Sequence, residues 1–202
     1  MFESFSIGWA GQRHSSALWD NNGFEPSTLG ALPYWQPPPP TNLITFYITS
    51  YNPADILNCT VIGPDQERYL HVVTDPHNPM YTLFQKIQAS GGSRSCALVE
   101  WQRQPLVEIR DVMSKYPIRD WLHLNSDERA RSMQFQNARY TWAPQDRYIN
   151  MHSAGSNPVF LARISRGHGT ITLDLTNQAI QLGLLDACII ATVVMQCGRN
   201  ID

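Results

Sequence analysis

The stretch Leu184-Leu185-Asp186-Ala187-Cys188-Ile189-Ile190-Ala191-Thr192-Val193-Val194-Met195 constrains this chain more than any other. Thr176 or Asn177 before it is a good helix N-cap, no proline follows, and Gly198-Arg199 is a stop signal, so a helix is predicted from there to the end. At ~20 residues it would span about 30 Å. A bilayer needs roughly 20 predominantly apolar residues, yet Gln178, Gln181, Asp186 and Gln196 all fall inside this span. An aspartate near the centre of such a helix costs ~2.5–3.5 kcal/mol on insertion, and no lysine cluster flanks the ends. A transmembrane segment is therefore not expected. An interfacial helix needs one strongly polar face, whereas here apolar residues point in every direction. Such a helix must be enclosed by protein.

The rest of the chain supplies strands for the enclosure. In Leu43–Thr49, Ile44, Phe46 and Ile48 alternate with Thr45, Tyr47 and Thr49, as in a half-buried strand. Cys59–Ile62 and Tyr69–Thr74 flank Gly63-Pro64-Asp65-Gln66 and read as a hairpin. Tyr81–Gln88, Ser95–Trp101, Leu106–Arg110 and Ile118–Leu122 follow. Met133–Gln136 and Arg139–Trp142 alternate around Asn137-Ala138, which lets Met133 and Phe135 share a face with the aromatic pair. Tyr148–His152, Val159–Ile164 and Thr170–Leu175 complete a set of about ten strands. A sandwich would cover one side of the terminal helix only, so the expectation is a mainly β fold: a closed antiparallel barrel threaded by that helix. Truncation before Leu184 should then unfold the domain.

Residues 1–40 read differently. They mix Ser, Asn, Gly and Pro with isolated aromatics and end in Pro37-Pro38-Pro39-Pro40, which favours an extended polyproline linker. The expected organisation is a flexible N-terminal arm over 1–40 and one folded domain over 41–202. A chain of 202 residues, 43% hydrophobic, suits one such core. Its net charge of −2, with basic residues scattered singly, argues against nucleic acid and against recruitment to anionic lipid by bulk charge. The first residues carry no basic leader or continuous apolar run, so the cytosol is the expected compartment. Cys59, Cys96, Cys188 and Cys197 form no Cys-x-x-Cys pair and are expected to be reduced. Asn58-Cys59-Thr60 matches a glycosylation sequon, which a cytosolic chain would leave unmodified.

Strands followed by one apolar C-terminal helix resemble the tubby C-terminal-like superfamily, with its phospholipid scramblases and plant LURP-one-related proteins. More narrowly, the chain resembles fungal proteins of unknown function grouped as the DUF6593 family. The segments that carry the likeness are Asn58-Cys59-Thr60-Val61 with Gly63-Pro64-Asp65, Ala97-Leu98-Val99-Glu100-Trp101, Arg139-Tyr140-Thr141-Trp142, and the ending from Thr170 through Leu184-Leu185-Asp186 to Met195. Together they cover roughly residues 42–197. The resemblance implies a closed barrel of about twelve strands around a hydrophobic helix, and contact with phosphoinositide or phospholipid in the relatives. It implies no particular activity, because fold does not fix function.

No catalytic constellation accompanies this architecture. There is no Gly-x-Ser-x-Gly elbow and no dinucleotide or phosphate loop, since Gly167-His168-Gly169 and Gly91-Gly92 are too short and open no helix. His71, Asp75 and His77 lie close in sequence, but Asp75-Pro76-His77 reads as a turn, and neither a metal nor a cofactor is expected. Arginine outnumbers lysine thirteen to two. An arginine fork binds carboxylate or phosphate and stacks on aromatic rings. The candidate ligand-binding residues are therefore Trp101, Arg110, His123, Arg139, Tyr140 and Trp142; the plainer alternative makes the aromatics core and pairs the arginines with Glu100, Glu108 and Asp111. The leading function is a non-enzymatic cytosolic binding or interaction domain, its partner a phospholipid, a small apolar molecule or a protein. A helix-filled lumen leaves no room for substrate, so ligands would use a rim or the outer surface. The rival is a small cyclase or isomerase of specialised metabolism, with Trp101, Tyr140, Trp142 and His123 lining a pocket.

Overall fold

A computed structural model describes residues 42–50, 55–88, 91–167 and 169–202 of the chain. The arm over 1–40 and His168 lie outside them. Thirteen strands form one sheet: β1 (Leu43–Thr49), β2 (Cys59–Ile62), β3 (Arg68–Thr74), β4 (Tyr81–Ile87), β5 (Ser93–Glu100), β6 (Leu106–Ile109), β7 (Met113–Pro117), β8 (Leu122–Leu124), β9 (Arg131–Phe135), β10 (Ala138–Gln145), β11 (Tyr148–Ser153), β12 (Phe160–Arg166) and β13 (Thr170–Thr176). Three helices join them: α1 (Ile118–Trp121), α2 (Asn177–Gln181) and α3 (Leu185–Gln196). Every pairing is antiparallel, and the order runs β7-β6-β5-β4-β3-β2-β1-β13-β12-β11-β10-β9-β8. The hairpin expected around Gly63 is β2–β3, with Gly63 N donating to Glu67 O at 2.8 Å.

The sheet is not closed, which corrects the expected barrel: β7 and β8 are its two free edges. The residues give the reason. Ile118 N donates to Pro105 O at 2.9 Å, opposite it across the β6–β7 ladder. Hydrogen-bonded positions alternate along an antiparallel pair, so the next residue back, Pro117, turns its backbone toward the open seam. Proline offers no N–H there, and a short edge strand carrying Lys115 and Pro117 is built against further pairing. The chain then crosses the seam through α1, where a strand over Ile118–Leu122 was predicted, and β8 adds only three residues. The short polar strand β7 has no counterpart among the predicted strands.

The sheet is nevertheless curled about α3. A single core joins Val107 and Ile109 of β6, near one edge, to Leu122 of β8 at the other, with inward residues of the intervening strands between them. Every residue of α3 from Ala187 to Gln196 is buried. That is the enclosure the all-round apolar sequence requires. The predicted single helix is two: α2 is capped by Thr176, whose hydroxyl accepts from Ala179 N at 3.1 Å, and ends at Gln181, two residues before Gly183. Gly183 adopts φ +71°, where a side chain is strained, and donates to Ile180 O at 2.9 Å, which satisfies a terminal carbonyl. Among the described residues no helix is long and apolar enough to cross a membrane.

The two ends of α3 are tied differently. At its start, Asp186 accepts from the Tyr69 hydroxyl at 2.9 Å and pairs with Lys86 at 2.7 Å. Beyond its end, Ile201 is buried and Asp202 takes both Nη atoms of buried Arg131, at 2.9 and 2.7 Å. Arg131 Nη1 also donates to Leu122 O at 2.8 Å, which ties edge strand β8 to the C-terminal segment.

Candidate functional site

Inward on β8–β10 lie Leu122, Met133, Phe135, Tyr140 and Trp142, together with Arg131, all buried. Period-two alternation therefore sends His123, Ser132, Gln134 and Arg139 to the outer face. Register completes the placement: His123 lies opposite Ser132, and Gln134 opposite Arg139. Beside them stand Asp120 on α1 and the β8–β9 turn, Asn125-Ser126-Asp127. These eight residues line a groove of about 670 Å³ along the free β8 edge.

The turn is held by its own polar groups. Asn125 N donates to Ala130 O, Glu128 N to Asn125 O and Ser132 Oγ to Asn125 Oδ1, each at 2.9 Å, while Asp127 Oδ1 accepts from Arg129 N at 3.2 Å. Glu128 sits at φ +56°, the left-handed residue that lets the turn close. Arg139 makes no ion pair among the described residues, and Asp120 meets only its neighbour Arg119, at 3.8 Å. The groove thus presents two carboxylates, an arginine and an imidazole, with amides and hydroxyls between them. It is equipped to hydrogen-bond and ion-pair, and every side chain on its wall is polar.

The sequence-predicted set is divided. His123 and Arg139 share the groove. Tyr140 and Trp142, neighbours of Arg139 in sequence, face inward and belong to the core with Met133 and Met151. Burial also raises the Tyr140 hydroxyl pKa, with Cys188 adding to it. Trp101 lies apart, buried at the end of β5, its indole N–H donating to Thr82 Oγ1 at 2.7 Å and the Arg199 guanidinium stacked 4.7 Å over its ring. Arg110 lines a separate cleft between β4, β5 and α3. Of the carboxylates named as possible arginine partners, Asp111 pairs with an arginine, Arg94, whereas buried Glu100 pairs with Lys115. Sequence reasoning missed Asp120, Asn125, Ser126, Asp127, Ser132 and Gln134. The available signal was the alternation itself, which makes Ser132 and Gln134 outward once Met133 is inward.

Among the described residues no group of three His, Cys, Asp or Glu side chains is placed to hold a metal. His71 Nδ1 bonds the Thr60 hydroxyl at 3.1 Å, and Asp75 caps the turn by accepting from His77 N at 2.8 Å. All four cysteines are free thiols. Burial pushes the Cys59 thiol up to about 12 and Cys96 up to about 11, with Asp55 and Asp186 respectively adding to the rise. None is therefore primed as a thiolate nucleophile. Asn58 of the sequon spends its amide within the fold, Oδ1 accepting from Thr74 N at 2.9 Å and Nδ2 donating to Asp55 Oδ2 at 2.8 Å.

A curled antiparallel sheet around a buried helix, with a polar groove on its outside, defines the class of this molecule. The chain belongs to the DUF6593 family, a family of unknown function whose model matches residues 54–200. No curated protein and no solved structure matches it.

Proposed function

We propose that this protein is a non-enzymatic binding module that uses the β8–β10 groove to hold an exposed, mixed-charge segment of a partner protein. One observation carries the reading: the groove wall combines Asp120 and Asp127 with Arg139 and His123 and contains no apolar side chain. Such a wall suits a partner bearing both charges. It suits a lipid tail or small apolar molecule poorly, because desolvating those polar groups without replacing their hydrogen bonds is costly. The enzyme reading loses its support, since Trp101, Tyr140 and Trp142 are core residues and His123 faces the opposite side of the sheet. A reducing, cytosolic setting agrees with four free thiols.

The test is a peptide-display selection against the full chain. Enriched peptides should carry acidic and basic residues together, lose binding to Arg139→Glu, and regain it when a peptide acid is exchanged for lysine. Enrichment of uncharged apolar peptides, or binding indifferent to Arg139→Glu and Asp127→Lys, would overturn the proposal.

A further inference from the structure

At the α3 N-terminal end a second, smaller cleft of about 170 Å³ is framed by Lys86 on β4, Arg94, Ser95 and Cys96 on β5, Arg110 and Asp111 in the β6–β7 turn, and Asp186 on α3. Its charges can be counted: three cations less two carboxylates leaves +1. Those carboxylates are unequally engaged. Asp186 is partly buried and committed, one oxygen to Tyr69 and the other to Lys86. Asp111 pairs with Arg94 at 3.0 Å, but both side chains are largely exposed, 75% and 59%, and such pairs are worth little in water. Arg110 pairs with no carboxylate among the described residues.

Two guanidinium forks therefore line one small cleft, one of them unengaged and the other held by a partner that an incoming anion displaces at little cost. A planar fork donates two parallel hydrogen bonds to an oxyanion, and charge-assisted bonds of this kind are about twice as strong as neutral ones. Cys96 stays a neutral thiol at neutral pH, so it adds no opposing charge. We infer that the cleft is a binding site for a small oxyanion, a phosphate group held between Arg110 and Arg94, with Lys86 contributing positive charge beside Asp186. The site is separate from the β8–β10 groove, and neither proposal depends on the other.

The experiment is an amide chemical-shift titration of the full chain with inorganic phosphate, run against chloride at matched ionic strength, with a parallel arm using phenyl phosphate. Saturable shifts are expected at residues 86, 94–96, 110 and 111. Arg110→Ala should weaken binding at least tenfold with an unchanged melting temperature. Arg147→Ala, which removes the same charge from an exposed turn elsewhere, should leave it intact. Tighter binding of phenyl phosphate marks a phosphate-bearing organic ligand, and equal binding marks the free ion; both support the site. Linear, unsaturable shifts in both arms, shifts spread over basic residues generally, or equal weakening by Arg110→Ala and Arg147→Ala would overturn it.

Discussion

The two faces of β8–β10 are made by alternate residues of the same three strands and do opposite work. Inward, Leu122, Met133, Tyr140 and Trp142 are buried against the core that surrounds α3. Outward, His123, Ser132, Gln134 and Arg139 line a polar groove open to solvent. A one-residue register slip would exchange the two sets, so the apolar demand of the core is also what positions the groove. Stability and binding should separate cleanly across the sheet.

The largest separation is expected at Trp142. Trp142→Ala should cost about 3–5 kcal/mol by loss of a wholly buried ring, read as a lowered denaturant midpoint. Any fraction that remains folded should bind groove ligands as the parent does. A cost below about 1 kcal/mol would mean that the inner face is not the packed core described here.

A smaller effect tests how β8 is held. Asp202→Ala removes a carboxylate that accepts from both Nη atoms of the buried Arg131 guanidinium and should cost about 1–3 kcal/mol. Asp202 itself is 46% exposed, which keeps the loss below that of a fully buried pair. Asp202→Asn, which keeps the size of the side chain but not its charge, should cost less than Asp202→Ala; the reverse order would contradict the assignment.

How much of this was legible in the sequence depends on the range of the interaction involved. The Met133–Trp142 hairpin announced its own faces by alternation, and the Thr176 cap and the all-round apolar α3 announced a buried helix. Each is a local pattern. Tyr140 and Trp142 were candidates for binding because of their chemistry, although the same alternation put them beside Met133 and Phe135. Closure of the sheet is a long-range matter: it turned on which way the Pro117 backbone faced, and that is known only once β6 and β7 are in register. The polar strand β7 carries no apolar rhythm, and Ile118–Leu122 suits a strand and a helical turn alike, so both were misread. Arg139 and His123 were legible as polar residues near strand ends. The acids beside them became visible only when α1 and the β8–β9 turn were placed.

Smaller still is a pH effect on the outer face. His152 packs edge-on to Phe160, with ring centroids 5.7 Å apart, and burial depresses its pKa. The unfolded chain therefore takes up the proton first, so this contribution is present above the ordinary histidine range and is lost as pH falls through it. Denaturant midpoints at pH 7 and pH 5 should show the drop, and His152→Gln should reduce it; an unchanged slope in that variant would assign the drop to other groups.

The smallest stability change belongs to the groove. Arg139→Ala should alter stability by no more than about 0.5 kcal/mol, as exposed substitutions do, while abolishing binding of the selected mixed-charge peptides. Loss of stability comparable to Trp142→Ala would erase the distinction between the two faces.

The enclosure of α3 is the claim on which the rest stands, and hydrogen exchange of its backbone amides in the full chain tests it most directly. If the helix is enclosed, the amides of Ile189 to Met195 should exchange only through global unfolding, at the free energy given by denaturant and as slowly as the most protected strand amides. Exchange of those amides well below the global free energy, with the β1 and β13 amides still protected, would show that the helix leaves a sheet that stands without it, and would contradict the account.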